Sequence, residues 1–170
     1  MMDVMPGSLL IKCNLALTAV FVAMSIVAAV TFTAPWKTIG VAVSLGCFSV
    51  GIVAFLWGYW TAVQRSRTDN ISVAALYFLV DKCAPQSISR LMNGALGVQV
   101  VVAVATAISR TTTDGRTGST LAFGVLAPMM GLGLNGLWGA THGTFAPRQF
   151  ENSAEVPHQE PASGQDENHD

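Results

Sequence analysis

What most constrains this chain is where its charges are missing. Leaving cysteine and tyrosine aside, no ionisable side chain stands between Lys12 and Lys37, between Lys37 and Arg65, or between Arg90 and Arg110. From Arg116 to Arg148 only His142 interrupts. An Asp, Lys or Arg at a bilayer centre costs roughly 2.5–3.5 kcal/mol even on the lenient insertion scale. A helix needs about 20 apolar residues to cross the hydrocarbon, and the four bare runs are about that long or longer. They predict spans near residues 15–33, 38–62, 91–108 and 120–140. Backbone in lipid must satisfy its own hydrogen bonds, which leaves helices or a closed barrel. The runs are continuous rather than alternating, and that selects helices. The expected fold class is all-α, a four-helix transmembrane bundle.

Composition removes other classes. Only 11% of the 170 residues are charged and 51% are hydrophobic, against about 25% charged in a soluble domain. A net charge of −1 gives no nucleic-acid footprint. Cys13, Cys47 and Cys83 make an odd set without a C-x-x-C pair, so neither a disulfide framework nor a zinc cluster is indicated. The apolar stretch from Leu15 to Phe32 exceeds the roughly 7–15 residues of a signal-peptide core; it is expected to remain as an anchor. No cofactor and no metal are expected. The expected partners are the lipid bilayer and either a second copy or another membrane protein, with no nucleic acid.

Residues 9–147 form the membrane domain, after a short N-terminal tail at 1–8. Within it, Ile71 to Val80 is apolar but flanked by Arg65, Arg67 and Asp69 before and by Asp81 and Lys82 after. Ten helical residues rise only about 15 Å, half a hydrocarbon core. Segment 71–80 is therefore expected as a short interfacial or bundle-packed helix; a re-entrant piece and a partner-docked one stay open. Pro85 suits the first turn of the third span. From Arg148 onward six acidic residues accompany one arginine, and the tail 148–170 is expected to be disordered.

Lipid tails are as apolar as leucine, so membrane helices associate through small residues and a few polar contacts. Candidate packing faces are Ala127, Gly131, Asn135 and Gly139 on the fourth span, Cys47, Gly51, Ala54 and Gly58 on the second, and Ala16, Ala19 and Ala23 on the first. Pro128 should kink the fourth helix and act as a hinge. No Asp or Glu lies within a span, although proton- and cation-coupled transporters usually need such a group. The intramembrane polar groups are neutral: Asn14, Ser25, Asn93, Gln99, Thr106 and Asn135. Gln99 and Asn135 lie deepest and are the candidate polar sites. The G-x-G-x-x-G match at 131–136 lacks the strand and βαβ unit that a dinucleotide fingerprint needs.

With four spans the termini share a side. That side carries Lys12, Arg65, Arg67, Lys82, Arg90 and Arg148, against Lys37, Arg110 and Arg116 opposite. The excess predicts cytoplasmic termini. Trp57, Tyr59, Trp60, Trp36 and Trp138 are placed as interfacial aromatics.

Three stretches also resemble segments of small actinobacterial integral membrane proteins without assigned function. They are Gly58-Tyr-Trp-Thr-Ala-Val-Gln-Arg-Ser-Arg67, Gly131-Leu-Gly-Leu-Asn-Gly-Leu-Trp-Gly-Ala140 and His142-Gly-Thr-Phe-Ala-Pro-Arg148. The resemblance covers about residues 50–148 and implies a bacterial plasma-membrane location. It transfers no catalytic or ligand residue. The function expected is that of a non-catalytic accessory or assembly subunit, with no enzyme activity. The alternative is a small channel or transporter for a neutral or anionic solute, lined by Gln99 and Asn135 and hinged at Pro128.

Overall fold

The computed structural model describes residues 7–31, 33–109, 112–113, 116–117 and 120–148. The N-terminal residues 1–6 and the acidic tail beyond Arg148 lie outside the described residues. Among the described residues five α-helices follow in order: α1 (Gly7–Thr31), α2 (Ala34–Arg65), α3 (Val73–Phe78), α4 (Gln86–Ser109) and α5 (Pro128–His142). A 3₁₀ segment, Thr120–Leu126, precedes α5. Among the described residues four helical stretches are long and apolar enough to cross a membrane: α1, α2, α4 and residues Ala122–His142. They form an all-α bundle. A two-residue antiparallel pairing, Thr112 with Thr117 and Thr113 with Arg116, lies in the α4–α5 connection and is too short to alter the class.

The helices outrun the bare charge runs. α1 begins at Gly7 and takes in Lys12, and α2 ends only at Arg65. A charge limits where lipid can lie, not where a helix can start. Pro35 sits in the first turn of α2 and Pro85 just before α4, its carbonyl accepting from the Ile88 and Ser89 amides. At both places the missing N–H is harmless.

The fourth span departs from the expectation of one helix kinked at Pro128. The chain runs as 3₁₀ to Leu126, turns at Ala127, and starts α5 with Pro128 in its first turn. The Met130 amide bonds to the Ala127 carbonyl at 2.9 Å. Proline thus opens a new helix instead of bending an old one, because an initial turn has no need of its amide.

α5 is the central element. In the 18-residue apolar window of its span 56% of the residues are buried, against 28% in the corresponding windows of the other three. Its widest contact is with α2, and the two run parallel: Gly51 meets Met129 and Met130, Gly58 meets Gly136 and Leu137, and Arg65 meets Ala140 and Gly143. α1 runs alongside α4, with Asn14 and Thr18 at Gln99. Leu10, Phe21, Met92, Ala103, Met130 and Leu134 fill the space between them.

Two placements differ from the sequence reading. Ala16, Ala19 and Ala23 of α1 face outward; the buried stripe is Leu10, Asn14, Thr18, Phe21, Ser25 and Ala28. Burying Asn14 and Thr18 where Gln99 can bond them satisfies polar groups that lipid could not, and that fixes the rotation of α1. Trp138 is 5% exposed and stacked on His142, so its ring packs between helices.

Candidate functional site

The segment between α2 and α4 enters the bundle and leaves again. Ser72 caps α3, its hydroxyl accepting from the Ala75 amide at 3.0 Å, as short polar residues do at helix starts. Leu79 then adopts a left-handed conformation (φ 50°), followed by Asp81 (58°) and Lys82 (60°), and the chain turns back towards α4. Left-handed backbone is uncommon outside glycine and asparagine-like residues. Leu79 is buried at this turn, whereas Asp81 and Lys82 are exposed.

α3 lies deep. The Tyr77 ring stacks on Phe55, centroids 4.6 Å apart, and its hydroxyl donates to the Phe55 carbonyl. Phe55 lies ten residues before Arg65, about 15 Å at the helical rise. Two glycines of α5 make this approach possible. A Cβ at Gly136 would overlap the Tyr77 ring, and one at Gly139 would come within 2.7 Å of the Leu76 carbonyl oxygen. The turn's carbonyls are met from α4: Ser89 Oγ donates to Leu79 O at 2.8 Å and Asn93 Nδ2 donates to Phe78 O. Non-helical backbone at depth persists only when protein groups satisfy it in this way. Of the expectations for segment 71–80, the bundle-packed helix matches the packing: Ala75, Leu76 and Tyr77 are buried against α2 and α5.

Beyond that tip, Asn93 Oδ1 accepts from Asn135 Nδ2 at 3.0 Å. Asn135 is fully buried, and its Oδ1 has no partner among the described residues. Gln99 belongs to a different cluster. Its Nε2 donates to Thr18 Oγ1 at 2.6 Å and stands 3.4 Å from Asn14 Oδ1, while its Oε1 lies against the Cα of Gly131. Asn14 Nδ2, Gln99 Oε1 and Trp138 Nε1 are likewise buried without partners among the described residues. Turning the Asn14 and Gln99 amides over would exchange which atoms are left, not their number. The two candidate amides therefore sit in two networks: Gln99 joins α4 to α1, and Asn135 joins α5 to α4 and the tip of α3.

A third polar group closes the Arg65 end. Arg65 Nη1 and Nη2 donate to the carbonyls of Ala140 and Gly143 at 2.9 and 3.1 Å. Its guanidinium also pairs with Asp69 at 3.0 Å and lies over the Phe145 ring. Arginine here caps the open carbonyls at the end of α5, where positive charge also suits the helix dipole. The following strand-like stretch bridges Asp69 to Pro147 and hands amide bonds between Asn70 and Ala146 and between Arg148 and Thr68. Thr144 meets the Cys83 carbonyl. Cys83 itself is 1% exposed, its thiol donating to the Ala75 carbonyl at 3.1 Å. Burial pushes that thiol upward, and the nearby Asp81 adds to the effect.

Of the expected packing residues, Cys47, Gly51 and Gly58 lie buried on α2, and Ala127, Gly131 and Gly139 lie buried on or beside α5. Gly133 was not singled out, yet a Cβ there would overlap the Gly51 carbonyl. Thr18, Tyr77 and Arg65 were missed as well. Thr18 shares the face of Asn14 at four-residue spacing, which could have signalled it. For Arg65 only the i, i+4 pairing with Asp69 is local; its carbonyl partners at the end of α5 lie 75 and 78 residues away. Among the described residues no three His, Cys, Asp or Glu are placed to hold a metal ion.

No protein-family model matches the chain, and no curated protein or solved structure matches it either. The geometry does bring residues 58–67, 131–140 and 142–148 together: Arg65 of the first stretch bonds Ala140 of the second and Gly143 of the third.

Proposed function

We propose that this protein is a non-catalytic accessory or assembly subunit of the cell membrane, with both termini cytoplasmic, that works by packing against another membrane protein or a second copy. The observation carrying it is a ridge on the outer face of α2. Val53, Leu56, Trp57 and Trp60 follow helical i, i+3, i+4, i+7 spacing and are 67, 58, 50 and 66% exposed. Trp60 suits the interfacial level. Trp57 lies eight residues, about 12 Å, inside the Arg65 end, whereas the headgroup zone is only about 5–8 Å thick on each side. An indole at that depth fits a protein contact better than a lipid one. The excess of Lys and Arg on the side of the termini supports the orientation.

The test is a photo-reactive residue at position 57 or 60 in native membranes, read out by co-purification in mild detergent. A discrete protein adduct is expected; adducts with lipid alone at both positions would dismiss the proposal. Cysteine accessibility in the connecting loops tests the orientation. Passage of a neutral or anionic solute is the second reading, favoured by the buried amides Gln99 and Asn135. Liposome flux that is the same with and without Gln99→Leu and Asn135→Leu would dismiss those residues as a lining.

A further inference from the structure

We infer that Arg67 and Arg148 form a surface site for the phosphate of an anionic lipid headgroup, at the end of the bundle where the chain leaves α2. The site does not depend on what covers the α2 ridge.

Backbone pairing holds the two arginines together. Beyond α2 the chain continues for one more helical turn, the Ser66 amide bonding the Ala62 carbonyl at 2.8 Å and the Asp69 amide the Arg65 carbonyl at 2.9 Å. Asp69 then bridges to Pro147, and the Arg148 amide bonds the Thr68 carbonyl at 2.8 Å. The Arg148 side chain thus returns over the turn, where Nη1 donates to Ser66 O at 3.1 Å. A carbonyl oxygen lies about 2.8 Å from the next Cα across a trans peptide, which puts Arg148 Nη1 within about 6 Å of the Arg67 Cα. The long Arg67 side chain can set its guanidinium beside that of Arg148.

The charges here do not balance. Arg65, Arg67 and Arg148 gather around one carboxylate, Asp69, and Arg65 already holds it through Nε and Nη2. Arg67 makes no hydrogen bond or ion pair among the described residues, and Arg148 spends Nη1 on Ser66; both side chains are exposed. Guanidinium is weakly hydrated, and its planar fork matches phosphate oxygens two at a time. A phosphomonoester carries about −1.5 to −2 charges at pH 7, close to the two positive charges it would meet. The carbonyl end of α2 alone would repel an anion with about half a charge; two full charges outweigh it.

The level of the site favours a lipid as the source of that phosphate. Trp60 suits the border between hydrocarbon and headgroups. Arg65 lies five residues, about 7.5 Å, beyond it, and the headgroup zone is about 5–8 Å thick. Arg67 follows Val63 by one helical turn, and Val63 is exposed, so apolar surface for an acyl chain adjoins the charged pair.

The experiment titrates the full chain, in a non-ionic detergent, with dioctanoyl phosphatidic acid, dioctanoyl phosphatidylcholine and inorganic phosphate, and reads binding by calorimetry. Phosphatidic acid is expected to bind up to about 25-fold more tightly than phosphatidylcholine, about fivefold for each basic residue near a lipid surface. Arg67→Gln and Arg148→Gln should each reduce that preference about fivefold, while Arg90→Gln, an exposed arginine at the start of α4, leaves it unchanged. Arg67→Gln removes no bond within the described residues, so it reports on the site even if Arg148→Gln loosens the turn. Equal affinity for the two lipids overturns the inference, as does an Arg67→Gln variant that binds like the parent or an Arg90→Gln variant that loses as much. Inorganic phosphate binding as tightly as phosphatidic acid would assign the pair to a soluble ligand and overturn the lipid assignment. Binding that appears only after residues 151–170 are removed would give the guanidinia to the acidic tail and overturn it too.

Discussion

Replacing Gly51 with alanine would put a methyl group 2.5 Å from the carbonyl carbon of Met129 and the amide nitrogen of Met130, and 2.6 Å from Met129 O. Ordinary contacts between carbon atoms lie near 3.5–4.0 Å, so α2 and α5 would have to part by about 1 Å. Both sides of this contact are backbone, and no side chain can swing away to absorb the change. Parting here also loosens Gly58 against Leu137 and Gly133 against the Gly51 carbonyl, because the parallel helices are stiff. Overpacking of this kind costs about 1–3 kcal/mol. Alanine's better helix propensity returns at most about 1 kcal/mol. With the full return the net is a loss of up to about 2 kcal/mol, and relative to an unhindered Gly→Ala change it is about 1–3 kcal/mol. Gly97→Ala and Gly46→Ala are the internal controls, since nothing lies within 4 Å of a Cβ at either place; they should be neutral or slightly stabilising. Equilibrium unfolding in mixed micelles, titrated with SDS, measures all three. If Gly51→Ala unfolds within about 0.5 kcal/mol of Gly97→Ala, the close parallel contact is wrong.

Arg65→Ala should free the end of α5, costing about 1.5–3 kcal/mol for its charged hydrogen bonds, discounted because the side chain is 32% exposed; hydrogen exchange at 140–148 should quicken, and unchanged exchange there would count against the clamp. A double-mutant cycle of Gln99→Leu with Thr18→Val should give a coupling near the 0.6 kcal/mol average for membrane hydrogen bonds, at most about 1.7 kcal/mol, and zero coupling would separate α1 from α4 at that level. The Cys83 thiol stays protonated in the fold beyond its ordinary value of 9.0, so the unfolded chain releases that proton first. The part of the stability linked to Cys83 should therefore be full below pH 9 and fall as pH rises above it, a contribution that Cys83→Ser removes; maleimide should label Cys83 far more slowly than Cys13 until SDS is added.

The sequence alone carried the four-span bundle, because the cost of burying charge acts on composition and needs no knowledge of neighbours. The bare runs around Leu15, Thr38, Leu91 and Thr120 could hardly be anything else. The same pattern misjudged helix ends, since Lys12 and Arg65 lie within α1 and α2. Small residues on α2 and α5 were readable as close-approach sites, but the same rule failed on α1. There Ala16, Ala19 and Ala23 yielded the inner face to Asn14 and Thr18, whose demand for a partner outweighs the packing gain of three methyl groups. Pro128 illustrates a similar limit: a proline breaks the hydrogen-bond ladder, but whether it bends one helix or begins another depends on what precedes it.

What sequence by itself determined was which stretches prefer oil to water, a sum over single residues. What tertiary structure alone decided was who faces whom. The inward dip of α3, the turn of Asn93 towards the Phe78 carbonyl, the open oxygen this leaves on Asn135, and the reach of Arg65 to the end of α5 are pairings between groups 15 to 78 residues apart. Hydrogen bonds are short and directional, so they exist only once packing has fixed distance and angle, and no property of one residue's chemistry specifies its partner.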